Sequence, residues 1–98
     1  MVRLGTEIES PQTGDPVQDE EDLCATAVAA YIVLLAAHAR GLAGYWRTPA
    51  VLRTDAGREA VGLGPNERFV ALIHLGRPAQ EKPAPDRAPV ASVVEYLS

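Results

Sequence analysis

The sequence predicts an α+β fold: a long buried core helix, a short helix, a central strand and an extended C-terminal arm, in a single partial domain over residues 1–98. Three observations predict it. Leu23 to Ala37 is an apolar run broken only by Thr26, with helix-start and helix-stop signals on either side. Arg68 to Leu75 is short and almost continuously apolar, as in a central strand covered on both faces. Residues 77–89 carry Pro78, Pro83, Pro85 and Pro89, which bar a helix and favour an extended chain.

Taken in order, residues 1–15 have two readings. Met1 to Ile8 holds either a short strand over Val2-Arg3-Leu4 or a mobile tail, and Ser10 to Gly14 reads as a loop because of Pro11 and Gly14.

The core helix is expected over 16–40. Asp15 can cap it, Pro16 suits the first helical position, and Gln18 stands where a capping box places an amide. Asp19-Glu20-Glu21-Asp22 lie near the positive end of the dipole, His38 and Arg40 near the negative end, and Gly41 just past it. A helix apolar on every side has to be buried on every side. A chain of this size buries only roughly 60–65 % of its unfolded surface, so the helix is expected to pack against a second chain. Ala25, Ala29 and Ala36 form either a stripe for close backbone approach or an ordinary Ala preference. A membrane span needs roughly 20 apolar residues; this run is shorter and has four acids at one end, which favours a core helix.

Residues 41–53 read as a connector, with Gly41 and Gly44 bracketing a turn and Pro49 stopping any helix before it. Thr54 or Asp55 caps a short helix over 55–61, ended by Gly62 and weakened by Gly57. Gly64-Pro65-Asn66 is a turn before the strand, and Gly76 ends that strand. The last residues, Val90 to Leu97, are too apolar to stand free, and are expected to dock as an edge strand on another subunit or as a short helix.

Composition narrows the chemistry. The net charge is -4 and the nine Lys and Arg are scattered, which argues against nucleic-acid binding. No secretion signal is visible, and the one cysteine, Cys24, is expected to be a buried inert thiol in a reducing cytoplasm. His38 and His74 are isolated and no residues show metal-ligand spacing. No nucleophile motif and no phosphate-cradling glycine loop is present. One constellation remains: the backbone at Gly44 and Tyr45, with Trp46, Arg47 and Thr48, combines aromatic and cationic groups suited to a flat ligand with an anionic tail. The same residues also read as a core plug, Trp46, beside a solvated Arg47.

The order Leu34 to Thr48 (LLAAHARGLAGYWRT), Arg58 to Leu63, Phe69 to Pro78 and Arg87 to Tyr96 resembles the C-terminal half of the nitroreductase family over about residues 20–97. The resemblance implies an α+β homodimer with the long helix near the dimer contact and the C-terminal arm embracing the partner. It implies flavin mononucleotide (FMN) between subunits, with Trp46, Arg47 and Thr48 in the flavin-touching segment and Arg87 near the phosphate. It implies hydride transfer from NADH or NADPH to a nitroaromatic or quinone acceptor. The chain departs from the family in three ways. It has no Arg-rich N-terminal half, Pro49 stands where Gly is common, and Asp86 stands where a second base is common. The alternatives are therefore a half that joins a separately made N-terminal half, a non-catalytic dimerisation or interaction module on the same half-fold, and a non-functional truncated copy.

Overall fold

The computed structural model describes residues 4–98. Strand β1 (Leu4–Pro11) is followed by helix α1 (Pro16–Ala39), strand β2 (Ala43–Arg47), a 3-10 turn (Ala50–Arg53), helix α2 (Asp55–Ala60), strand β3 (Glu67–Gly76) and a second 3-10 turn (Val90–Ser92). The three strands form one antiparallel sheet in the order β1-β3-β2. β3 is central, as its apolar run predicts.

Helix α1 starts and stops as its sequence predicts. The Asp15 carboxylate accepts from the Val17 N–H at 3.0 Å and Pro16 opens the helix. Gly41 takes φ 76, and Gly41 N–H donates to the His38 carbonyl while Leu42 N–H donates to that of Ala37, both at 3.0 Å. That pair of bonds is a Schellman cap, which only a residue free to adopt positive φ forms cheaply. The capping box does not form. Gln18 instead donates to Asp22 one turn on, at 2.9 Å. Asp19 reaches back, accepting from the Thr13 N–H at 2.6 Å, the Thr13 hydroxyl at 2.8 Å and the Gly14 N–H at 3.3 Å. The Thr13 N–H, then its hydroxyl, then the Gly14 N–H hold the Asp19 carboxyl below its ordinary pKa, against a smaller opposing effect of burial.

Two segments differ from expectation. The connector contains β2: Ala43 to Arg47 pair with Gly76 to Leu72, and Gly44 lies inside the strand instead of in a turn. A Cβ on Gly44 would sit 2.5 Å from Leu34 Cδ2, so the glycine lets α1 lie close to the sheet. Local signals do not reveal this strand because only its pairing with β3 makes it one. β1 reaches Pro11, so Ser10 and Pro11 belong to a strand and not to a loop; Val2 and Arg3 lie outside the described residues. β1 pairs Ile8 with Ala71 and Glu9 with Phe69, leaving Val70 as a bulge.

The core is small. Ala30 of α1 meets Ala71 and Ile73 of β3, with Ile8, Leu34, Trp46, Val70 and Leu75 packed around them. Ala30 and Ala37 are the buried residues of α1. The helix is therefore not buried on every side by this chain: Val28, Tyr31, Ile32 and Leu35 are exposed. Cys24 is exposed as well, not buried. The sheet is covered by α1 on one face only, which corrects the expectation that β3 is covered on both. Beyond Gly76 the arm lies exposed, and Tyr96 and Leu97 are 90% and 94% exposed.

The dimensions agree. The radius of gyration is 16.7 Å, against about 13 Å for a compact chain of this length. The accessible surface is 7902 Å², against about 5,400 Å² for a compact protein of 10.4 kDa. The excess of about 2,500 Å² reflects the extended arm after Gly76 and the exposed side of α1.

Candidate functional site

The uncovered face of the sheet carries the aromatic and cationic groups. Side chains alternate along β2. Gly44 and Trp46 face α1, where Trp46 is half-buried against the core. Tyr45 and Arg47 face the other way and are exposed. β3 alternates too. Phe69, Ala71 and Ile73 are buried on the α1 side, and Leu72 and His74 lie half-buried on the opposite side.

The register sets Tyr45 opposite His74. Their rings stack with centroids 6.3 Å apart and planes 29° from parallel. Around this pair lies a cleft of about 370 Å³, lined also by Arg47 from β2 and by Arg77 and Gln80 from the segment after β3. No carboxylate lines it. In a chain of net charge -4, a concavity with two guanidinium groups and no acid is electropositive and attracts anions. The Nε2 of His74 is buried without a hydrogen-bond partner. A buried polar nitrogen in that state carries a desolvation cost that a ligand atom can relieve.

The residues singled out in the sequence are distributed as follows. Arg47 lines the cleft. Trp46 lies across the sheet from it, fixed in the core by the strand's alternation. Thr48 is exposed just beyond β2, and Arg87 is exposed on the arm; neither lines the cleft. His74 and Arg77 were not legible as site residues. Their signal is parity along β3 and proximity to Tyr45, and it becomes readable only once β2 is known to be a strand.

Helix α1 is long and apolar enough to cross a membrane by length and composition. It contacts all three strands, and Leu34 packs into the core. Most of its length is nevertheless exposed, with Ala30 and Ala37 its buried residues.

No protein-family model matches the sequence, and no curated protein matches it. The fold has a clear likeness. A solved structure described as a nitroreductase-like family protein from Bacillus cereus superposes with a TM-score of 0.83 at 22% identity, over 95% of this chain and 50% of that one. The chain has a nitroreductase-like half-fold. It spans half the length of the nitroreductase-like protein it matches. The α+β class expected from the sequence, and the resemblance drawn from Leu34 to Thr48 and the segments after it, agree with this likeness.

Proposed function

We propose that this chain is the C-terminal portion of an FMN-dependent, nitroreductase-like oxidoreductase. On this reading it is completed by a second copy or by a separate N-terminal half, and it works in the cytoplasm. The observation that carries the reading is the electropositive aromatic cleft on a nitroreductase-like half-fold. Its residues suit FMN. Arg47 and Arg77 can hold an anionic tail through charge-assisted bonds. The Tyr45–His74 pair offers a flat surface for a planar ring system. Trp46 serves by fixing β2 from the core side, and Thr48 offers a hydroxyl at the strand's end. Arg87 on the arm adds a cation when the arm folds over a neighbouring subunit; Asp86 beside it opposes phosphate.

The chemistry a flavin supplies when bound is hydride relay from NADH or NADPH to an acceptor such as a nitroaromatic or quinone. The chain's own residues bind and orient. The exclusion of water falls to whatever covers the open face of the sheet.

A second reading is a non-catalytic interaction module on the same half-fold, favoured by the exposed apolar side of α1 and by Asp86. One experiment separates the two. FMN is added to the purified chain, the sample is desalted, and the visible spectrum is recorded. The first reading expects a retained flavin band and retention about tenfold weaker in Arg47→Ala, the loss of one charge-assisted bond. A colourless chain gives first place to the second reading or to a site completed only by a separate N-terminal half, and a retained band indifferent to Arg47→Ala overturns the site.

A further inference from the structure

A second concavity lies apart from the cleft at Tyr45 and His74. Its volume is about 260 Å³, and three arginines from three elements line it: Arg53 from the 3-10 turn, Arg58 from α2 and Arg68 from β3. Gln12 stands at its rim, Leu52 and Phe69 supply apolar wall, and no carboxylate lines it. Asp55, Glu59 and Glu67 lie on the same elements but not on its wall.

Its parts are held in place. The Arg58 guanidinium donates through Nη2 to the carbonyls of Glu67 at 3.0 Å and Gly64 at 3.3 Å. That fixes its fork and leaves other N–H groups for a ligand. The Gln12 N–H donates to the Asn66 carbonyl at 2.7 Å, which pins the loop before α1 beside the turn before β3. α2 itself lies tight on the 3-10 turn, because a Cβ on Gly57 would collide with the Val51 carbonyl. Three arginines lining one cleft with no carboxylate on its wall make it electropositive. A dianion suits that wall, and the planar fork of arginine matches phosphate oxygens two at a time.

We propose that this three-arginine cleft binds the phosphate group of a small phosphorylated metabolite. A phosphate fits better than a carboxylate because it brings close to two negative charges and three acceptor oxygens. Arg53 and Arg68 are the readable contacts; Arg58 also supports the turn at Gly64 and is left unchanged. The reading does not depend on flavin binding.

The test is isothermal titration of the full chain with inorganic pyrophosphate at low salt, with acetate as the monovalent control. Wild type is expected to bind pyrophosphate but not acetate. Arg53→Gln and Arg68→Gln are each expected to weaken binding about tenfold or more, the loss of one charge-assisted bond, with unchanged circular dichroism. Lys82→Gln, exposed on the arm and lining neither cleft, is expected to leave pyrophosphate binding unchanged. Affinity in Arg53→Gln and Arg68→Gln equal to that of the wild type, acetate binding as strong as pyrophosphate, or a loss in Lys82→Gln equal to theirs would each overturn the assignment.

Discussion

The two sides of helix α1 are built the wrong way round for a monomer. The side against the sheet is closed by Ala30 and Ala37 with Leu34 between them, while the side facing water carries Val28, Tyr31, Ile32 and Leu35. Burial of apolar area stabilises by about 25 cal/mol per Å², so a lone chain would keep its bulk inside. Here the bulk points away from its own sheet, at the 28, 31, 32, 35 spacing of one helix face. The inner side is shaped for close approach, through Ala30 and Gly44, and the outer side carries bulk that none of the described residues covers. Both descend from one apolar run. The run announces a buried helix but not which side this chain buries.

The comparison can be broken most sharply at its inner side. Ile73 is fully buried against Ala30, and Ile73→Ala is expected to cost about 2–5 kcal/mol in urea unfolding. A cost under about 0.5 kcal/mol, the level of a surface change, would mean that the core is not where the structure puts it. Ala30→Leu inserts bulk on the same side and is expected to cost about 1–3 kcal/mol. Ile32→Ala, on the outer side, is expected to stay within about 0.5 kcal/mol when the chain is dilute and alone. Equal costs at 30 and 32 would erase the distinction between the two sides.

Away from the helix, Gly57→Ala is expected to cost about 1–3 kcal/mol, since its Cβ meets backbone at Val51 and not a movable side chain. Gly57 looks like a flaw in a short helix when read as sequence, and in the structure it is what lets α2 sit against the preceding turn. The smallest effect is at Asp19. Its folded pKa lies below its ordinary value, so its contribution is present above that ordinary value and is lost as pH falls through the lower, folded value. Thr13 and Gly14 amide exchange is expected to quicken over that acid window, and Asp19→Asn is expected to remove the pH dependence.

Much of the fold was legible because its signals are local. Asp15, Pro16 and Gly41 bound α1, Gly62 ends α2, and the apolar density of 68–75 marks the central strand. β2 was not legible, since Gly44 and the short length argue for a turn and only pairing with β3 overrides them. The arm's apolar end suggests docking, yet Val90, Val93 and Tyr96 lie exposed and are not packed against the rest of the chain. In the candidate site, Arg47 stood out by its neighbours Tyr45 and Trp46. His74 did not, because a strand histidine acquires meaning only from the residue across from it.

The measurement that bears most directly on the outer side of α1 is the solution mass of the chain by light scattering after size exclusion. It is compared with that of a chain carrying Ile32→Glu and Leu35→Glu. The account predicts that the wild type associates, at twice the 10.4 kDa chain mass or more, and that the doubly changed chain runs as a folded monomer. A wild type that is a stable, folded 10.4 kDa monomer at high micromolar concentration would contradict it, and the bulky side of α1 would then have to be explained without a partner.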